Sequence, residues 1–268
     1  MILILCFLVY GLSLDTNGSI YTLDGDNTRV TKGIQGSSSS TIVASGNGTE
    51  SNVNQIGGSF GMFIDSSASN IWIADKINHR IVKWSSPTTS TVVCGSYGSN
   101  DNQLSYPDGL FVDTSDSDTP YVADSGNHRV QMWLPGATSG KTVAGITSYY
   151  GGGLNQLWFP KTLIVDNDKN MFINDRYNNR ILKWKTGASS GVLIAGVLSR
   201  ETASNQLNNP WGINESCSHF TFWPRFSWCR GQEKLMHVAF QPQIYYLKKK
   251  ITCWQLFQLH IDDDTSLR

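Results

Sequence analysis

Charge is scarce in this chain. Asp, Glu, Lys and Arg make up 16% of its 268 residues, against about a quarter in an average globular protein. The 21 basic and 21 acidic side chains cancel, so the basic footprint of a general polyanion binder is missing. No run approaches the ~18 apolar residues of a membrane-spanning helix. The 5 cysteines are an odd count and form no Cys-x-x-Cys pair. Cys217, Cys229 and Cys253 lie near His219, His237 and His260, but their spacing matches no usual zinc module. A Gly-x-Ser-x-Gly elbow, a phosphate loop and a His-Glu-x-x-His pair are all absent. Outside the C-terminal tail no segment sustains a helical apolar period. What is present is aromatic: 11% of residues, with 9 Trp, alongside 25 Gly. Such a chain can bury a sizeable core.

Internal repetition organises the sequence. Tyr121-Val122-Ala123-Asp124 is followed by Asn127-His128-Arg129-Val130 and Trp133. Upstream the pattern reads Ile73-Ala74-Asp75, Asn78-His79-Arg80-Ile81 and Trp84. Downstream it reads Ile173-Asn174-Asp175, Asn178-Asn179-Arg180-Ile181 and Trp184. A worn copy carries Asp24, Asn27, Arg29 and Val30. Successive Asp residues lie 51, 49 and 51 positions apart. Two further markers keep phase. Asn-Gln precedes Ile or Leu from Asn54, Asn102, Asn155 and Asn205, and a small residue then Gly closes units at Ser45-Gly46, Cys94-Gly95, Ala144-Gly145 and Ala195-Gly196.

Each unit predicts four short antiparallel strands, for example 109–113, 121–124, 129–133 and 141–144, because its apolar runs are brief, β-branched or aromatic, and bounded by turn formers. One such sheet cannot bury both faces, whereas sheets stacked radially bury each other, so the expected fold is an all-β propeller. Trp84, Trp133 and Trp184 are expected between blades, and Cys94 as a small core residue standing where Ser45, Ala144 and Ala195 stand. The Asp-x-x-Asn-x-Arg element falls at a hairpin. Its Asp can accept backbone N–H groups of the turn, its Asn tolerates positive φ, and its Arg can pair with that Asp or with carbonyls of the next blade. Because it recurs in every unit, it is read as a structural staple and not as catalytic machinery.

The string Tyr-Val-Ala-Asp-x-x-Asn-His-Arg-Val-x-x-Trp resembles the NHL repeat, over residues 11–213. That resemblance implies a β-propeller, usually six-bladed, serving as an interaction platform. Some relatives are the substrate- or RNA-recognition ends of tripartite-motif ubiquitin ligases, and one is a peptide-amidating lyase with a metal in its central channel. Six blades need about 300 residues at this period. The chain holds units at 11–46, 47–95, 96–145 and 146–196 and the start of a fifth at 197–213, the pattern of an incomplete or truncated ring. Residues 1–10 read as an apolar start, either a truncated strand or a weak signal-like segment. Repeat phase is lost after Ile213, so residues 214–268 read as a non-repeat tail and a candidate gene-model artefact.

The expected function is a non-enzymatic scaffold, with no catalytic residues, metal or cofactor, binding a protein or small ligand through inter-blade loops such as 96–106 and 146–159. Tyr149, Tyr150 and Trp158 are its candidate aromatic anchors. The repeat region holds 14 basic and 16 acidic residues, which disfavours nucleic acid. His79 and His128 hold equivalent ring positions but supply two ligands where a catalytic zinc needs three. Asp166-x-Asp168-x-Asn170 lacks the sixth-position Gly and twelfth-position Glu of a calcium loop and reads as a hairpin turn, like 113–118. Gly151-Gly152-Gly153 reads as a flexible connection. Asn-x-Ser/Thr triplets at Asn17, Asn47 and Asn214 tilt slightly toward an extracellular setting.

Overall fold

A computed structural model describes residues 9–196 apart from 26, 35, 46–51, 60, 66 and 68, together with 207–215, 227–231 and 234–240. Residues 1–8 of the apolar start at 1–10, and most of the tail, lie outside the described residues. Four antiparallel four-stranded sheets follow one another along the chain. The first is β1 (Val9–Leu14), β2 (Ile20–Asp24), β3 (Arg29–Gly33) and β4 (Ser40–Ser45). The second is β5 (Gly61–Ile64), β6 (Ile71–Asp75), β7 (Arg80–Ser86) and β8 (Thr89–Cys94). The third is β9 (Leu110–Asp113), β10 (Thr119–Asp124), β11 (Arg129–Met132) and β12 (Lys141–Gly145). The fourth is β13 (Pro160–Val165), β14 (Met171–Asp175), β15 (Arg180–Trp184) and β16 (Val192–Gly196). Each is a simple up-and-down meander, the blade of a β-propeller. The only helices among the described residues are two three-residue 3-10 turns, Ser125–Asn127 and Arg176–Asn178.

The first strands of successive blades meet in chain order, β1 with β5, β5 with β9 and β9 with β13, and so line the propeller axis. A further strand, β17 (Pro210–Glu215), packs on β13 in the same way. Its own sheet runs β17–β19–β18, where β18 is Ser227–Gly231 and β19 is Lys234–Phe240. That order is not the meander of the four blades.

The core lies between blades. Leu23, Val30 and Ala44 of the first blade cluster with Ile64, Ile73 and Trp84 of the second. Trp72, Ile81 and Cys94 of the second cluster with Val112, Val122 and Trp133 of the third. Tyr121, Val130 and Ala144 of the third cluster with Leu163, Ile173 and Trp184 of the fourth. Each Trp thus leans from one blade onto the preceding one, and all three rings are buried. At ~25 cal/mol per Å² of apolar area, a ring that buries 150–250 Å² contributes roughly 4–6 kcal/mol as an upper bound. The partner strand makes room for it: a Cβ on Gly140 would sit 2.8 Å from the Trp133 ring, and one on Gly191 2.8 Å from that of Trp184.

The closing glycines are also geometric. Gly95, Gly145 and Gly196 have φ of +99°, +83° and +84°. Gly145 sits opposite Arg129 and Gly196 opposite Arg180. In the first blade the residue opposite Arg29 is Ser45, at φ +59°. The expected alignment of Ser45 with Cys94 is therefore off by one position. Ala44, facing Val30, is the counterpart of Cys94, Ala144 and Ala195, and Ser45 takes the glycine's place. Cys94 is buried in apolar surroundings, which pushes its thiol above the ordinary range, as suits a small core residue.

Candidate functional site

The loops that enter the second, third and fourth blades are each fastened by that blade's own hairpin. In the third blade Asp124 and Arg129 are wholly buried. Asp124 Oδ1 accepts the Ser105 N–H at 2.7 Å, and Oδ2 accepts from Asn127 Nδ2 and Arg129 Nε, both at 2.8 Å. The far end of Arg129 donates to the carbonyls of Asn100 and Gln103 at 2.9 and 3.0 Å. The second blade repeats this with Asp75 on Gly57 N–H (2.7 Å), Asn78, and Arg80 on the carbonyls of Asn52 and Gln55. The fourth repeats it with Asp175 on Trp158 N–H (2.7 Å), Asn178, and Arg180 on the carbonyls of Gly152, Gly153 and Gln156. In the first blade Asp24 binds Asn27 and Arg29 but lies nearer solvent. Burial pushes the carboxyls of Asp75, Asp124 and Asp175 above the ordinary range, against the pull of their Asn, N–H and Arg partners.

Three expectations need correction. In the three inner copies the Asp receives the N–H of the incoming loop, not of its own turn. The arginine makes the expected pair with its own Asp, but the carbonyls it also grips belong to the loop entering its own blade and not to the next blade. The Gly151-Gly152-Gly153 segment is held, since Asn178 and Arg180 together take all three of its carbonyls. The Asn-Gln marker has a role in this loop: Gln103 Oε1 accepts from Asn100 N, closing a turn that Gln103 N makes with Asn100 O. Gln55 and Gln156 do the same. The following Ile56, Leu104, Leu157 and Leu207 are buried in the core.

Positive φ belongs to the residue after the motif Asn. Thr28, His79, His128 and Asn179 have φ of +48°, +55°, +59° and +52°. From there the side chain reaches the next blade. His79 Nδ1 accepts the Tyr106 N–H at 3.0 Å, His128 Nδ1 accepts the Phe159 N–H at 3.3 Å, and Asn179 Oδ1 accepts the Asn209 N–H at 2.8 Å. Burial holds both imidazoles below the ordinary histidine range, in the neutral form that can accept. Among the described residues no three His, Cys, Asp or Glu side chains come together in a metal-holding group. Asp166 closes its hairpin by accepting from Asn170 N at 2.8 Å, as a turn residue should.

Hairpins and incoming loops share one face of the propeller, and this face carries the aromatic side chains. Tyr149 and Tyr150 are 69% and 59% exposed. Tyr150 stacks on the half-buried Trp158, with centroids 5.1 Å apart and planes 23° apart. Tyr177 meets Trp158 edge-on, and His128 lies between Tyr150 and Phe159. One blade earlier His79 sits between Tyr97 and Tyr106. Nearer the axis lies a group that the repeat pattern did not single out. Asp108, Lys161 and Trp211 occupy equivalent positions, each following a proline, just before β9 and at the start of β13 and β17, and Lys76 and Arg176 follow the motif Asp in two hairpins. Their signal was available: these are positions where the repeats differ from one another.

No protein-family model matches the chain, and no curated protein matches it. Solved structures do match. An auxiliary nutrient binding protein from Bacteroides ovatus superposes with a TM-score of 0.56 at 14% identity, over 86% of this chain and 58% of that one. Streptogramin B lyase gives 0.53 at 15% identity, over 76% and 58%. A protein of unknown function from Bacteroides thetaiotaomicron gives 0.51 at 15% identity, over 86% and 69%. At these identities the likeness is one of fold: the chain is a β-propeller. It spans 58% of the length of the first two of these neighbours.

Proposed function

We propose that this chain is an NHL-type propeller acting as a non-enzymatic binding scaffold, which meets a protein or small ligand with the loop-bearing face. The stacked pair of Tyr150 and Trp158 carries this reading. Exposed aromatic rings are strong binding anchors when little ordering is needed on contact, and the 146–159 loop is already clamped by Arg180 and Asn178. A rigid scaffold presenting ordered loops is the usual division of labour in binding proteins. The auxiliary nutrient-binding neighbour uses the same fold, which supports the reading at the level of architecture.

The test is a peptide and glycan array probed with the full chain, followed by titration of its best binder. Tyr150→Ala/Trp158→Ala weakens that binder at least tenfold and leaves the cooperative unfolding intact, because Asp175 holds the Trp158 backbone and not its ring. Full affinity in the double variant rejects this surface.

A further inference from the structure

We propose that a cavity on the face opposite the aromatic loops, between the ends of β5, β9 and β13, binds a small organic ammonium ion: a protonated amine that carries an apolar or aromatic group. The site is separate from the surface that carries the scaffold reading and goes beyond it.

The cavity measures about 240 Å³. That is many times what one water needs and a little below the size of drug-sized ligand sites, so its occupant is small. The floor is apolar. Phe63 and Phe111 meet edge to face with centroids 5.4 Å apart, and Val165 lines the same space. Both rings are half-buried. The rim is formed by the β9–β10 and β13–β14 turns, with Asp113, Asp166 and Lys169. The motif hairpins join the second strand of a blade to its third, so these turns between first and second strands lie at the other end of the blades.

Asp113 is compensated within the rim. Lys169 donates to its Oδ2, and Ser115 donates to Oδ1 through both its N–H and its hydroxyl. Burial opposes ionisation of this carboxyl, but those bonds outweigh it and hold the group below the ordinary range. Asp166 is compensated far less. Its side chain is 15% exposed, and its hydrogen bonds come from the neutral Asn170. Among the described residues its one ion-pair partner, Lys183 Nζ, stands 3.9 Å from Oδ2. That oxygen accepts a single hydrogen bond, from Asn170 Nδ2 at 3.0 Å. A carboxylate oxygen has lone pairs for two donors, so a ligand N–H can be received there. The ring floor favours the same charge, because the face of a phenyl ring attracts a cation. A turn Asp follows the inner strand of every blade, as Asp15, Asp65, Asp113 and Asp166, so the carboxylates alone mark a turn. The ring pair does not recur: the position of Phe63 and Phe111 holds Ser13 in the first blade and Ile164 in the fourth.

Phenylethylamine, phenylethanol and phenylacetate are suitable probes, because they share a shape and are a cation, a neutral molecule and an anion at neutral pH. The full chain is titrated with each at low ionic strength, where screening is weak. Saturable binding of the amine is expected, at least tenfold tighter than that of the alcohol, with no binding of the acid. Asp166→Asn keeps an oxygen for the Asn170 N–H and removes the charge. It is expected to weaken the amine at least fivefold and to leave cooperative unfolding intact. Phe63→Leu keeps most of the apolar volume, removes the ring face and is expected to weaken the amine as well. Tyr150→Ala/Trp158→Ala leaves amine binding unaltered, so this site and the aromatic surface fail or stand separately. Absence of saturable amine binding overturns the assignment. So does equal affinity for amine and alcohol, or amine binding that is indifferent to Asp166→Asn.

Discussion

The ring nitrogen Nδ1 of His128, in the third blade, accepts the backbone N–H of Phe159, at the threshold of the fourth, across 3.3 Å. His79 makes the same bridge to Tyr106 one blade earlier, and Asn179 makes it to Asn209 one blade later. These bridges run from the hairpins of the second, third and fourth blades to the strand-entry segments that follow, so this part of the propeller is tied along its face as well as through its core.

A neutral imidazole can accept this bond and an imidazolium cannot. Burial lowers the folded-state value of both histidines below 6.5. Their contribution to stability is complete above 6.5 and is lost as pH falls through the lowered values. His79→Asn/His128→Asn, which copies Asn179, keeps the acceptor and tolerates the positive φ. Its melting temperature is expected to match the parent at pH 7.5 and to fall less between pH 6.5 and 4.5. His128→Ala leaves the Phe159 N–H unsatisfied and costs about 1–3 kcal/mol at neutral pH. Parallel acid slopes in the parent and the double Asn variant would refute the bridge.

The Asp–Arg staples are chemically alike and differ in burial. Both partners are wholly buried in the third blade, whereas Arg29 keeps 37% of its side chain exposed in the first. Arg129→Met strands a buried carboxylate and is expected to cost about 3–5 kcal/mol. Arg29→Met is expected to cost under about 1 kcal/mol. Urea unfolding of the two variants decides the point, and similar losses would contradict the assigned burial.

Opposite signs are expected at the two forms of the closing position. Gly145→Ala places a Cβ 2.5 Å from the His128 carbonyl oxygen at φ +83°, costing about 1–3 kcal/mol. Ser45→Gly removes a non-glycine residue from φ +59° together with a buried hydroxyl that has no partner among the described residues. It is expected to gain about 1 kcal/mol. Thermal melts of both variants test the pair, and a destabilised Ser45→Gly would show that the hydroxyl is in use.

Strand number, blade period and the buried tryptophans were legible in the residues alone. A sheet that must bury two faces imposes the same apolar spacing on every copy, and four copies make the period plain. The recurrence of Asp124, Asn127 and Arg129 likewise marked a staple. Its wiring was not legible: Ser105 lies 19 residues from Asp124 and Asn100 29 residues from Arg129. Which carbonyl a guanidinium reaches across such a gap depends on how the incoming loop folds back. The one-position slip at Ser45 has a related cause: all four blades carry the same bulge, after Val30, Ile81, Val130 and Ile181, so the residue facing the motif Arg is fixed by strand register, which leaves no mark in a list of small residues. The cluster of Lys76, Asp108, Lys161, Arg176 and Trp211 joins positions up to 135 residues apart. Repetition along the chain specifies what each blade is. Only the stacking of blades about an axis brings their non-repeating residues within reach of one another, because charge and hydrogen-bond geometry act through distance in space.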